Sequence, residues 1–172
     1  MAGIIVEEIT EKILGKLWHG ISEEQASKYC MGVYKRDSDS AKNVINQLAE
    51  KGFADAVLMT MEEVPELKPD KESVKKGFSK VLERVWHGYS EETLRDYIEN
   101  FGDPEMVESV VRRGFVEALE GIDIREMSID RKISKDAIYE GLGKVTARVG
   151  KGYSREDLDE FMKITGLNYL LK

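Results

Sequence analysis

The stretch LWHGISEE, Leu17 to Glu24, returns as VWHGYSEE at 85–92 with six of eight positions identical. A weaker third version, VGKGYSRE, stands at 149–156, so the starts lie 68 and then 64 residues apart. The likeness extends outward. Upstream, KILGKLW (12–18), KVLERVW (80–86) and KVTARVG (144–150) align without a gap. Downstream, QLAEKGFADAVL (47–58) matches VVRRGFVEAL (110–119) once the first copy is allowed a longer loop, and the third copy ends before this segment. Repeats of this period predict stacked supersecondary units, each too small to bury its own apolar face.

Each copy reads as three helices. The leading helix carries apolar residues at helical spacing: Phe78, Val81, Leu82, Val85 and Trp86 in the second copy, Ile9, Ile13, Leu14, Leu17 and Trp18 in the first. Gly20, Gly88 and Gly152 follow the helix end, where a left-handed residue is wanted. Two residues on, Ser22, Ser90 and Ser154 stand as N-caps, mostly followed by acids that suit the positive end of the helix dipole. The middle helix then shows Leu94, Tyr97, Ile98 and Phe101, matched by Leu158, Phe161 and Met162 and by Ala26, Tyr29 and Cys30. The third helix is expected to begin at Asp103 with Pro104 at its first position, and at Asp39 or Ser40 in the first copy. Gly52 and Gly114 sit on its apolar face, read as a place of close helix approach, with a helix break as the alternative.

The expected fold is therefore all-α, about eight helices in an internally repeated three-helix array with a truncated third unit, compact as one domain. The repeats are placed at 1–62, 77–120 and 135–172, with a Pro-containing linker (Pro65, Pro69) and the start of the second repeat at 63–76, and an irregular connection at 121–134.

Composition removes several classes. One cysteine, Cys30, permits no intrachain disulfide or cysteine zinc site and suits a reducing compartment. No apolar run approaches the roughly 20 residues of a membrane span, and the N-terminal stretch lacks the basic flank of a secretory signal, so no membrane role and a cytoplasmic location are expected. Only Gln25 and Gln47 are glutamines among many Glu and Lys, which leans thermophilic. A net charge of −7 opposes general affinity for nucleic acid without removing a local basic patch.

Such a patch is the main candidate site. Lys12, Lys16 and His19 share one side of the first leading helix, and Lys80, Arg84, His87 and Lys144, Arg148, Lys151 repeat the spacing. Merged, the three stripes would suit phosphate, nucleic acid or an acidic protein; a solvated polar face is the plainer alternative. His19 and His87 are read as cations at a helix C-terminus rather than metal ligands, because the third copy places Lys151 there. Trp18 and Trp86 are read as core residues continuing the apolar stripes. A DNA-reading helix-turn-helix is disfavoured, since Glu23, Glu24, Glu91 and Glu92 occupy the end that would meet DNA.

No nucleophile, phosphate loop or metal-spaced histidine pair stands out, so neither metal nor cofactor is expected. The function expected is a non-catalytic interaction or self-association module, with a homodimer as its testable form because the missing third helix would leave an apolar face open. Anion or nucleic-acid binding through the stripes is the alternative, and an enzyme of unknown type the third.

Overall fold

The computed structural model of the chain describes residues 2–101, 103–122 and 133–167. These residues are all-helical, with ten helices and no strand among them. The first five are α1 (Ala2–Lys16), α2 (Glu23–Arg36), α3 (Ser38–Glu50), α4 (Ala54–Glu63) and α5 (Lys71–Arg84). They are followed by α6 (Glu91–Phe101), α7 (Pro104–Arg113), α8 (Val116–Leu119), α9 (Lys135–Arg148) and α10 (Arg155–Ile164). No helix is long and apolar enough to cross a membrane among the described residues. Most of the 121–134 connection and the end of the third copy lie outside them.

Ten helices rather than eight arise because the expected third helix is two. Gly52 (φ 74°) and Gly114 (φ 68°) adopt left-handed backbone and stop α3 and α7. Phe53 and Phe115 then start α4 and α8. The glycines do both of the things considered for them. A Cβ at Gly52 would lie 2.9 Å from the Gly77 carbonyl oxygen, and one at Gly114 2.9 Å from that of Gly141, so each stop is also a close approach.

The chain divides into two compact units, Met1–Arg84 and Val85–Lys172. In the first, α3 packs on α2, α4 and α5, and α1 rests on α2 and α3. The core is the i, i+3, i+4 stripe of α3 (Ala41, Val44, Ile45, Leu48, Ala49) against Cys30, Val57, Val74 and Val81. Burial pushes the Cys30 thiol up to about 12, which leaves it an inert small apolar group. In the second unit, α7 packs on α9 and α8, and α6 and α10 pack on α8. Val107, Val110 and Val111 of α7 and Val145 of α9 are buried where these helices pack together, and Leu94, Tyr97 and Phe161 are fully buried. Although the sequence pattern heads the second repeat with α5, contacts bind this helix to the first unit.

Local chemistry explains the boundaries. Ser22 caps α2 in a reciprocal box with Gln25, and Ser154 caps α10 in one with Asp157. The Ser90 hydroxyl accepts from Thr93 N–H at 3.2 Å at the start of α6. Asp103 with Pro104 opens α7 as expected. The cap of α3 is Asp37, two residues before the expected Asp39, because Asp37 also terminates α2 and its carboxylate accepts from Asp39 N–H.

Candidate functional site

The repeated octapeptide forms the same corner three times. A one-residue bridge joins Leu17 to Ile21, Val85 to Tyr89 and Val149 to Tyr153. Within it the next backbone N–H donates back across the turn: Trp18 to Ile21 (2.9 Å), Trp86 to Tyr89 (2.7 Å), Gly150 to Tyr153 (2.8 Å). This closure needs a left-handed residue at the second position. Trp18 (φ 64°), Trp86 (φ 68°) and Gly150 (φ 81°) supply it, while Gly20, Gly88 and Gly152 also hold positive φ. Glycine takes this conformation freely; a tryptophan is strained there by roughly 1–2 kcal/mol.

The tryptophans are not core residues. Trp18 is 41% and Trp86 51% exposed, because the left-handed backbone turns each side chain out of its helix stripe and across a helix junction. The indole N–H of Trp18 donates to Glu23 Oε2 at 3.0 Å and that of Trp86 to Glu91 Oε2 at 3.2 Å. Both glutamates are buried, and the other carboxylate oxygen of each caps a second helix. Glu23 accepts from Ala56 N–H at 3.1 Å, in the first turn of α4; Glu91 accepts from Glu117 N–H at 3.1 Å, in the first turn of α8. Phe53 and Phe115, at the N-cap positions of those helices, have no side-chain oxygen to offer, so a glutamate from another helix does so.

An arginine completes the junction. Arg84 Nη1 donates to the carbonyls of Lys51 (2.8 Å) and Gly52 (2.6 Å), which the end of α3 leaves unsatisfied. Arg148 Nη1 does the same for Arg113 and Gly114, both at 2.9 Å, at the end of α7. Each guanidinium lies over aromatic rings: Arg84 at 4.9 Å from the Trp18 ring and 4.7 Å from Phe53, Arg148 at 4.6 Å from Trp86 and 5.4 Å from Phe115. Each Gly-Phe break is thus held from both sides, a cation on its carbonyls and a carboxylate on its amides, with an indole covering both. In unit 2 the Tyr153 hydroxyl lies 2.9 Å from both Glu91 oxygens and accepts from Val116 N–H. Burial raises the Glu91 carboxyl above the usual carboxylate range, though its bonds from Tyr153 and Trp86 oppose the shift. Burial, with the charge of Glu91, also raises the Tyr153 hydroxyl.

The structure separates the candidate cations by role. Arg84 and Arg148 are junction groups. Lys80, Arg84 and Lys51 line an open cleft of about 440 Å³ beside the first junction, together with Gln47, Phe53 and the carboxylate of Glu11. Lys12, Lys16 and His19 are exposed and do not line it; His87 and Lys151 are exposed on unit 2. Lys144 is half-buried, 4.0 Å from Glu140. A larger cleft of about 720 Å³ is lined from α1, α3 and α5 and mixes Glu7, Glu50, Asp70 and Glu72 with Lys71 and Lys76. No cluster of three metal-ligating side chains occurs among the described residues.

The residues that sequence reasoning missed are Glu23 and Glu91, taken there for dipole charges. One signal was present: Trp and Glu change together, to Gly150 and Arg155, in the third copy. Comparison of the chain with family models, curated proteins and solved structures finds no match.

Proposed function

We propose that this chain is a non-catalytic interaction module, an array of one repeated helical unit in which the leading helix of each copy closes the third segment of the copy before it. The recurrence of the corner, the Arg–Glu–Trp junction and the paired glycines at both α3–α5 and α7–α9 supports the array. A third copy is represented by α9 and α10. The free, buried Cys30 suits the cytoplasmic setting we propose for it.

One observation carries the functional half: two strained tryptophans, half-exposed and held rigid by a buried carboxylate and a stacked arginine, where the third copy uses glycine. A rigid, amphipathic indole is an economical contact surface because little side-chain freedom is lost on binding. The test is affinity capture by the full chain, followed by measurement of the purified partner against wild type and the Trp18→Gly/Trp86→Gly variant. Glycine is the right replacement, since Gly150 shows the corner closing with it at similar φ. Binding at least about tenfold weaker in the variant is expected. Equal affinity, or turnover of a substrate by the purified chain, overturns the proposal.

A second reading, anion binding, draws support from the convergence of Lys51, Lys80 and Arg84 on one cleft. Capture of nucleic acid that raised salt releases transfers the conclusion to it.

A further inference from the structure

The gap-free alignment of the leading helices, carried back from the corners, sets Ile5, Ile9, Lys12 and Lys16 of α1 opposite Ser73, Gly77, Lys80 and Arg84 of α5, and opposite Ala137, Gly141, Lys144 and Arg148 of α9. On α5 and α9 this is the face that docks. A Cβ at Gly77 would fall 1.7 Å from the Ala49 carbonyl oxygen of α3, and one at Gly141 1.9 Å from the Val111 carbonyl oxygen of α7. On α1 the same face is open: Ile5 is 57% and Ile9 41% exposed, and Lys12 and Lys16 are exposed beside them. The opposite face is the one α1 buries, with Thr10 only 2% exposed and hydrogen-bonded to Tyr29.

Isoleucine at the glycine position excludes a helix seated as α3 is on α5, because the side chain occupies the space of that close crossing. It suits a helix at the ordinary separation of about 8–10 Å. The flanking charge selects which helix. Glu8 aligns with Lys76 and Glu140, and both of those make an ion pair to the docked helix, Lys76 with Glu50 and Glu140 with Arg112. A helix that docks on α1 should therefore bring a cation to Glu8. The α1 face carries that cation itself, one turn on, as Lys12.

From this we propose that α1 pairs with α1 of a second copy of the chain, antiparallel about a two-fold axis level with residue 10, so that Glu8 of each faces Lys12 of the other and the two Ile9 side chains pack side by side. Parallel pairing would set lysine on lysine and glutamate on glutamate. The two-fold arrangement satisfies both ends at once, as a self-complementary interface must. The pairing rests on the repeat reading above, which defines the docking face. One helix pair buries less than the roughly 1,200 Å² of a tight complex, so the dimer is weak and reversible.

Sedimentation velocity of the full chain, up to concentrations on the order of 100 µM, reads it directly. Wild type should move from monomer to dimer, and Ile5→Glu/Ile9→Glu should stay monomeric with unchanged helical circular dichroism. Glu8→Lys and Lys12→Glu alone should each weaken association about tenfold, and the two together should restore it. A monomer throughout overturns the pairing, as does a dimer indifferent to Ile5 and Ile9 or a double charge exchange that fails to restore association. If Trp18→Gly/Trp86→Gly abolishes the dimer while Ile5→Glu/Ile9→Glu leaves it, the pairing falls and the interaction module stands. A monomer with a tryptophan-dependent partner likewise removes the pairing and keeps the module.

Discussion

At the junction of α3 with α5, Glu50 and Lys76 lie 3.9 Å apart; at the junction of α7 with α9 the equivalent residues are Arg112 and Glu140, and the polarity is reversed. The backbone arrangement is the same in both, with a left-handed glycine ending one helix and a second glycine letting the next helix press on its carbonyls. The arginine that caps the carbonyls at the very end of that helix recurs too. What differs is the solvated rim. Close packing and unsatisfied backbone groups impose costs of kilocalories and allow few solutions. An exposed ion pair needs only opposite signs, and its order is free. The two junctions thus separate the parts of the module that geometry dictates from the parts that it tolerates.

The largest expected effect attacks what is shared. Gly77→Ala and Gly141→Ala each push a methyl group into backbone oxygen and should cost about 3 kcal/mol or more in denaturant unfolding. Gly15→Ala, where a Cβ meets nothing within 4 Å, is the control and should stabilise by up to about 1 kcal/mol. Similar gains at all three sites would mean that the glycines act through helix propensity and not through the crossing.

Next come the arginines. Arg84→Met and Arg148→Met keep the aliphatic stem and remove two carbonyl caps and the ring contact, so each should cost about 2 kcal/mol. Unequal losses would show that the junctions differ in more than their rims.

In unit 2, Tyr153 donates to Glu91. A carboxyl whose pKa is raised by folding stabilises the fold most when it is protonated, and that contribution is lost as pH rises through the raised value. The stability of wild type relative to Glu91→Gln should therefore fall as pH climbs upward from the ordinary carboxylate range. The opposite slope would mean that the hydrogen bonds from Tyr153, Trp86 and Glu117 outweigh burial.

The smallest effect is at the rim. Rewriting Glu50 and Lys76 in the polarity of unit 2, as Glu50→Arg/Lys76→Glu, should change stability by no more than a few tenths of a kcal/mol, with each single change the worse. A large loss in the double variant would make the rim part of the junction.

Much of this was legible in the sequence alone. The serine caps, the Asp103-Pro104 start and the helical stripes are local signals, written in a few neighbouring residues, and the structure places the helices that they announce. The misread residues are those whose role is set by a distant partner. Trp18 and Trp86 fall on an apolar stripe, and the periodicity carries no sign that the backbone turns left-handed beneath them. Arg84 looks like any surface cation until the Gly52 carbonyl, more than thirty residues away, is found beside it. Gly52 and Gly114 suggested both a close approach and a break, and only the φ values show that they are both.

The same left-handed tryptophans give the chain a built-in optical readout. They are its only two, one in each unit, each donating its N–H to a carboxylate. Indole emission excited at wavelengths beyond the tyrosine absorption band therefore comes, in Trp86→Gly, from the first unit alone and, in Trp18→Gly, from the second, so the melting of each half can be timed without any added dye.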